Sequence, residues 1–255
     1  MLIKDISFSY TKKEKQLQNI QTEIPLGKIT TIIGPNGSGK STFIQLIARL
    51  YFSTEGEIVL DGKRLEAYSA REFAKSLAVV HQHNIVPDDM TVEKLVRYGR
   101  IPHQHFLKKD RKDDERAVEW ALEKTQLLKK KYRAVSQLSG GERQRVWIAM
   151  ALAQQTPILL LDEPTTYLDM YHQLEILDLV KRLNREEGMT IVMVLHDLNQ
   201  AIRYSDHLLV LKDGQKLLEG SPEDVINEAV IHKIYGIRAK VKVEDNDLYV
   251  VPLGI

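Results

Sequence analysis

The sequence predicts an α/β protein, because short runs of strand-forming residues alternate with segments of helical periodicity. Three apolar runs carry this prediction: KITTIIG at 28–34, PILLLDEP at 157–164 and MTIVMVLHD at 189–197. Such nearly continuous apolar runs are typical of buried strands in parallel sheets. With 255 residues and 43% hydrophobic residues, the chain is long for one domain and short for two. We therefore expect a single domain, 1–255, that carries sub-domains.

The N-terminal part of the chain predicts a strand, a helix, a hairpin and a further strand, in that order. The strand at 28–34 enters a glycine turn, and a helix is expected from about 40 to 50. GEIVLDGK at 56–63 predicts a hairpin that turns at Asp61–Gly62, and SLAVVHQ at 76–82 predicts another strand. We also expect a small antiparallel β sub-domain beside the main sheet.

Strand patterns disappear between 84 and 135, where apolar residues such as Ala117, Ala121 and Leu128 recur at helical spacing. We expect an inserted helical sub-domain there, between two parts of a core formed by 1–83 and 136–255. A further helix is expected from about 141 to 154. The C-terminal part predicts two more hairpins, at 206–220 and 239–253.

Composition excludes several classes of protein. The formal net charge of +1 gives no general basic field for nucleic acid, so we expect no nucleic-acid partner. The absence of cysteine excludes disulfides and thiolate metal sites. Lys4 and Asp5 interrupt the apolar core that a signal peptide needs, so we expect no export. The longest run without charged residues, 146–161, contains polar residues and is too short to span a membrane.

The segment GPNGSGKS at 34–41 fits the phosphate-binding pattern G-x-x-x-x-G-K-[ST]. Glycines let backbone N–H groups surround phosphate oxygens, and the following helix directs its positive end toward them. Lys40 can reach the β- and γ-phosphates, and the Ser41 hydroxyl can bind Mg²⁺. The expected ATP-binding residues of this loop are Gly34, Pro35, Asn36, Gly37, Ser38, Gly39, Lys40, Ser41 and Thr42.

The run ILLLDE at 158–163 places two carboxylates after a buried strand, at the edge where open α/β sheets bind ligands. We expect Asp162 to hold Mg²⁺ and Glu163 to act as the general base toward water. By itself, the pair could equally be an acidic cap at the end of a strand.

A second glycine turn, LSGGERQR at 138–145, opens a helix but has no lysine and no preceding strand. Its backbone N–H groups can bind an anion. The alternative is an ordinary helix start, because Ser139 and Glu142 have the spacing of a capping box. The local pattern favours the capping box.

The order of these motifs resembles that of the ATP-binding cassette (ABC) ATPases, and the resemblance covers essentially the whole chain. It implies that two cassettes pack head to tail, so that the signature of one contacts the ATP bound by the other. The partner is then a second copy of this chain or a like cassette. The signature residues implied are Leu138, Ser139, Gly140, Gly141 and Glu142.

The resemblance assigns roles to other residues as well. Tyr10 matches the aromatic residue that stacks on adenine, although it could be a core residue. Gln82 matches the glutamine that contacts Mg²⁺ and water, which completes a magnesium set of Ser41, Gln82 and Asp162. Asp169 matches the D-loop that crosses the dimer. His196 matches the histidine that contacts the γ-phosphate, so the implied catalytic residues are Glu163, His196 and Gln82.

The segments 97–104, 144–169 and 171–177 are similar to those of cassettes that drive import of ferric siderophores, haem and cobalamin. The resemblance implies a separate membrane permease, an indirect link to a binding protein, and a location on the cytoplasmic face of the membrane. Alternatives are a transporter ATPase for cobalamin, haem, a metal ion or another substrate, and a non-transport ABC ATPase.

The permease groove is expected on 83–103. Its candidate apolar contacts are Val92, Leu95, Val96 and Tyr98, and the alternative is that these residues form helix core. Direct metal binding by His81, His83 and the histidines at 103 and 105 is the weaker of two interpretations, because such histidines are commonly structural.

Overall fold

The computed structural model describes residues 1–11, 15–82, 84–104, 111–245 and 247–255. These residues form two compact units. The first contains Met1–Ala67 and Thr190–Ile255, and the second contains Tyr68–Met189. The phosphate-binding loop belongs to the first unit, and the LSGGERQR turn belongs to the second.

The strands of the described residues, in chain order, are β1 Leu2–Phe8, β2 Leu17–Glu23, β3 Ile29–Ile33, β4 Glu55–Leu60, β5 Lys63–Arg64, β6 Leu77–Val80, β7 Ile158–Leu161, β8 Thr190–Val194, β9 His207–Lys212, β10 Gln215–Gly220, β11 Arg238–Glu244 and β12 Asp247–Gly254. The helices are α1 Lys40–Ile47, α2 Ala70–Ser76, α3 Val92–Arg97, α4 Arg111–Lys124, α5 Gly140–Ala153, α6 Met170–Glu187, α7 Leu198–Tyr204, α8 Pro222–Val225 and α9 Glu228–Tyr235.

The core of the first unit is formed by strands β10, β9, β3 and β8, which lie side by side in that order. Strand β3 pairs in parallel with both β8 and β9, and β10 pairs antiparallel with β9. Every residue of β3 and β8 is buried, as the apolar runs predict. Because these parallel strands end at the same edge, the loops that follow β3 and β8 emerge together.

Two smaller antiparallel sheets complete the first unit. One has the strand order β2-β1-β4-β5, and its predicted turn at Asp61–Gly62 has positive φ at both residues, as a tight hairpin turn requires. The other is the C-terminal hairpin of β11 and β12. The Asn199 side chain of α7 anchors it by two hydrogen bonds to the backbone of Val250, at 2.8 and 3.1 Å.

The second unit contains the parallel pair β6 and β7 and the helices from α2 to α6. Helix α6 buries one apolar stripe, Ile176, Leu177, Leu179, Val180 and Leu183, and exposes its other face. Within the described part of 84–135, the only β contact is a single bridge between Thr91 and Ala134, and the rest is helix, turn or irregular chain. This agrees with the predicted loss of strand patterns.

The structure confirms the α/β fold class and the order of strands, hairpins and helices. The exact sub-domain limits at 83/84 and 135/136 stay a prediction. None of the helices in the part of the chain that the structure describes is long and apolar enough to cross a membrane.

Phe43→Ala should lower the free energy of unfolding by about 3–5 kcal/mol, because Phe43 of α1 is fully buried. Phe52→Ala is the matched control. That ring is 56% exposed, and its truncation should cost less than about 1 kcal/mol. Urea denaturation followed by circular dichroism checks both values, and equal costs for the two variants would contradict the assigned core.

Candidate nucleotide-binding and catalytic site

The phosphate-binding loop connects the buried end of β3 to α1. Gly34 has a φ of 151°, and a Cβ placed there would lie 2.0 Å from the carbonyl oxygen of Leu211 in β9. Only glycine therefore lets the loop approach the neighbouring strand this closely. Ser38 is buried, and its carbonyl accepts a hydrogen bond of 3.3 Å from Gly214 N–H, which attaches the loop to the β9–β10 turn.

Lys40, the first residue of α1, extends along this loop. It is 5% exposed, and its Nζ donates to the carbonyl oxygens of Gly34 at 3.0 Å and Pro35 at 2.9 Å. The first turn of α1 contains no acidic residue, and the space around Gly37 is open. A positive helix end, a buried lysine and an open glycine turn together fit a polyphosphate.

Tyr10 lies beside the start of α1. Its hydroxyl is 3.2 Å from both the Thr42 hydroxyl and the Gln45 side-chain oxygen. Its ring makes edge contacts with Phe8 and Tyr51, with ring centroids 4.8 and 5.3 Å apart, yet half of the residue remains exposed. The position supplies an aromatic surface next to the phosphate-binding loop, so Tyr10 is not simply a core residue.

Tyr235 is a residue near the loop that the sequence analysis missed. It ends α9, and its phenol forms a hydrogen bond with the backbone of Gly34. Burial raises the pKa of Tyr235 to about 12, and the hydrogen bond opposes this shift. The phenol therefore stays neutral at physiological pH. No local motif marks a residue so distant in sequence.

His196 lies two residues beyond the buried strand β8 and is exposed. The next residue, Asp197, caps α7 by accepting a 2.8 Å hydrogen bond from Gln200 N–H. Because β8 lies next to β3, His196 and the phosphate-binding loop emerge from the same edge of the sheet.

The carboxylates after β7 lie in the second unit. Asp162 is buried, and its backbone N–H donates 3.0 Å to the carbonyl of Val80 in β6. Glu163 has a φ of 51° and accepts hydrogen bonds from Gln82 Nε2 at 2.5 Å and Thr166 Oγ1 at 3.1 Å. The structure thus joins two predicted catalytic residues, Gln82 and Glu163. It adds Thr166, which sequence reasoning did not identify.

The signature turn has the capping box that its local pattern predicts. Glu142 N–H donates to the Ser139 hydroxyl at 3.3 Å, and Ser139 N–H donates to the Glu142 carboxylate at 3.0 Å. The Lys130 ammonium also donates to this carboxylate and lowers the pKa of Glu142, with the Ser139 backbone bond as a lesser cause. Leu138 and Gly141 are buried, whereas Ser139 and Gly140 are exposed and open to contact.

Asp169 begins α6 as its N-cap, where its side chain accepts a 2.9 Å hydrogen bond from His172 N–H. The residue is exposed, and the neighbouring Tyr167 and Met170 are among the most exposed large side chains of the described residues. An exposed acidic residue between two exposed apolar ones is a surface suited to another chain.

The expected docking segment needs a correction. Val92, Leu95 and Val96 are buried in the helical core, so they are not available as permease contacts. Tyr98 is 51% exposed, as a contact residue requires. It borders a groove of about 590 Å³ whose lining residues are Asp89, Met90, Lys94, Arg97, Tyr98, Ile101 and Gln104. The prediction that the groove begins at 83 concerns a residue outside the described ones.

Two of the four histidines considered for metal can be placed. His81 and His103 are partly buried, and burial lowers the pKa of each. A ring nitrogen of His103 lies 2.7 Å from the carbonyl oxygen of Gln154, a structural contact. His83 and His105 lie outside the described residues. Among the residues described, no group of three or more His, Cys, Asp or Glu side chains is arranged to hold a metal ion.

The fold and the loop define a P-loop nucleotide-binding protein. Residues 17–166, more than half of the chain, match the ABC transporter family, and the chain belongs to that family. It is 51% identical to the petrobactin import ATP-binding protein of Bacillus anthracis, over 91% of this chain and 86% of the relative. It is 45% identical to the ferric enterobactin transport ATP-binding protein of Escherichia coli K12, over 93% and 88% of the respective chains.

A bacterial ABC transporter cassette solved as a dimer has a similar structure. Its TM-score is 0.75 at 33% identity, and the match covers 87% of this chain and 98% of the other. The same cassette was solved as a dimer in a post-hydrolysis state bound to ADP and Pi, with a TM-score of 0.74 and 31% identity over 87% and 98% of the chains. The family, the ATPase class and the fold predicted from the motifs are thereby confirmed.

Gly34→Ala should weaken ATP binding about tenfold or more, because the added methyl meets the Leu211 carbonyl and shifts the loop N–H groups. Gly62→Ala is the matched control. It also has positive φ but nothing within 4 Å of the new Cβ. Titration with a fluorescent ATP analogue measures both affinities, and unchanged binding by Gly34→Ala would show that the close approach does not shape the site.

Proposed function

We propose that this chain is the ATP-hydrolysing subunit of an importer of ferric siderophores or related iron chelates. The observation that carries the proposal is the presence of the loop, carboxylate pair and signature turn in a chain whose relatives are named as petrobactin and ferric enterobactin import ATPases. The ATPase does not need to contact the chelate. The substrate class is therefore supported by those relatives, and the hydrolytic role by the site residues.

In the proposed site, the loop 34–42 binds the phosphates of ATP, Lys40 contacts the β- and γ-phosphates, and Tyr10 stacks on adenine. The oxygen donors of Ser41, Gln82 and Asp162 are the ligand types that Mg²⁺ prefers. When bound, the ion supplies positive charge that neutralises the phosphate oxygens.

Glu163 acts as the general base toward the attacking water. The hydrogen bonds from Gln82 and Thr166 to one carboxylate oxygen, at 2.5 and 3.1 Å, support this role because they fix the orientation of the carboxylate. His196 contacts the γ-phosphate from the edge of the sheet where the loop lies.

The working unit is a head-to-tail dimer in which the exposed Ser139 and Gly140 of one copy contact ATP on the other. Residues 138–142 of one copy contact the ATP bound by the other copy. Asp169 lies at the interface and contacts the opposite copy. The dimeric cassette of similar structure supports such an assembly. Binding of two ATP molecules closes the dimer, and hydrolysis lets it open.

A separate permease docks in the groove beside Tyr98, and movement of the dimer is transmitted to the permease through this groove. The same docking holds the chain on the cytoplasmic face of the membrane. Tyr98 and Ile101 are both more than half exposed and provide its apolar surface. A substrate-binding protein acts only indirectly, through the permease.

Glu163→Gln should lower kcat by about 10²–10⁴-fold and leave ATP affinity almost unchanged, since the amide is a poor base but fills the same space. With ATP, this variant should accumulate as a dimer. Phosphate release and size-exclusion chromatography check the two effects, and hydrolysis at the wild-type rate would remove Glu163 from the role of base.

Tyr98→Ala combined with Ile101→Ala should leave basal ATPase activity of the chain unchanged but reduce transport by the assembled importer about tenfold or more, because apolar contact area is lost. The control is Tyr132→Ala, a residue 74% exposed that lies outside the groove. Uptake in membrane vesicles separates the two variants, and normal transport by the double variant would place the docking surface elsewhere.

Uptake of radio-iron from a panel of ferric siderophores, haem and labelled cobalamin tests the substrate class. Cells lacking the gene are compared with cells that carry the wild-type chain or Glu163→Gln. Loss of one iron chelate, restored only by the wild type, supports the proposal. Loss of cobalamin or haem alone would identify one of the alternatives. Normal uptake of every compound would contradict the iron-chelate assignment.

A further inference from the structure

His172, on the first turn of α6, lies directly against the signature turn. A Cβ placed on Gly141 would be 2.7 Å from Cγ and 2.8 Å from Nδ1 of this imidazole, so the two residues are in close contact. Leu168 approaches the neighbouring glycine, with 3.5 Å between its Cδ2 and a Cβ placed on Gly140. The side chains of Leu168 and His172 therefore lie against the two signature glycines.

One hydrogen bond contacts the imidazole directly, and two others hold the groups around it. The backbone N–H of His172 donates to the Asp169 carboxylate at 2.9 Å, which connects the histidine to the N-cap of α6. Its Nδ1 lies 2.8 Å from Glu175 Oε2, and the same oxygen accepts a 2.7 Å hydrogen bond from Arg145 of α5. Arg145 and Glu175 lie in the second turns of α5 and α6, so this bridge joins the N-terminal halves of the two helices.

This arrangement links two surfaces of one cassette. Ser139 and Gly140, which precede the glycine that contacts the imidazole, are exposed, and so is Asp169, which accepts a hydrogen bond from the His172 backbone. A displacement of α6 at its N-terminus must move the ring that supports Gly141, since no gap separates the two.

We propose that His172 is a positioning residue for ATP hydrolysis. Its imidazole holds the signature turn in the orientation that receives the ATP bound by the partner copy. Through the same contacts, His172 couples the signature turn to Asp169. The proposal rests on the proposed function, because it takes the signature turn and Asp169 to be contacts in trans.

Three substitutions separate the contributions of the ring. His172→Ala removes both the ring and its hydrogen bond. His172→Asn keeps a nitrogen near the position of Nδ1 that can donate to Glu175, and His172→Leu keeps bulk without a donor. Arg185→Ala, an exposed position on the same helix, is the matched control. Each variant is also made in the Glu163→Gln background, in which ATP-bound dimers accumulate.

We expect the substitutions to leave ATP binding by the monomer unchanged and to weaken ATP-dependent dimerisation. His172→Ala and His172→Leu should bind a fluorescent ATP analogue as the wild-type monomer does, yet form ATP-dependent dimers about tenfold more weakly and show kcat about tenfold lower. His172→Asn should recover most of both losses, and Arg185→Ala should match the wild type. If His172→Ala does not fold, the contrast between Asn and Leu carries the same test.

Two results would overturn the inference. One is normal ATP-dependent dimerisation of His172→Ala or His172→Leu in the Glu163→Gln background. The other is a parallel loss of ATP binding and thermal stability in all three variants, which would make His172 a general packing residue. If Glu163→Gln with an intact His172 forms no dimer in ATP, the proposed function itself fails, so the two failures are distinguishable.

Discussion

The two glycine turns of the candidate site depend on a backbone that approaches its neighbours more closely than a side chain would allow, at Gly34 in the first unit and at Gly141 in the second. In the first unit, Gly34 lies against the Leu211 carbonyl, so the phosphate-binding loop can follow β3 without leaving the sheet. In the second unit, Gly141 lies against the His172 ring, so the signature turn can rest on α6. Both contacts place backbone N–H groups at the start of a helix, where the helix dipole favours an anion.

The Glu163 carboxylate, the proposed general base, depends on a different constraint. Glu163 has the left-handed backbone conformation that costs a non-glycine residue on the order of 1 kcal/mol or more, and it persists because the surrounding contacts determine it. Gln82 and Thr166 donate to the same carboxylate oxygen, which restricts rotation of the side chain. The strained turn and the two donors together orient one carboxylate, as a general base requires.

Helical periodicity predicted helices within 84–135, but it did not decide which residues of α3 face outward. Val92, Leu95 and Val96 pack into the helical core, whereas Tyr98 lies on the turn that follows and remains exposed. An apolar stripe has the same pattern whether it meets its own domain or a partner. Only the packing of α3 against the neighbouring helices α4 and α5 distinguishes the two.

The sequence by itself determined the fold class, the phosphate-binding loop, the carboxylate pair and the signature turn, because each is a short motif whose residue types act through their own backbone. The tertiary structure decided that Tyr235 contacts the backbone of Gly34, that Gln82 meets Glu163, and that His172 supports Gly141. These pairs join residues from different elements. Their contacts depend on how helices and strands pack, and a local sequence pattern does not specify that packing.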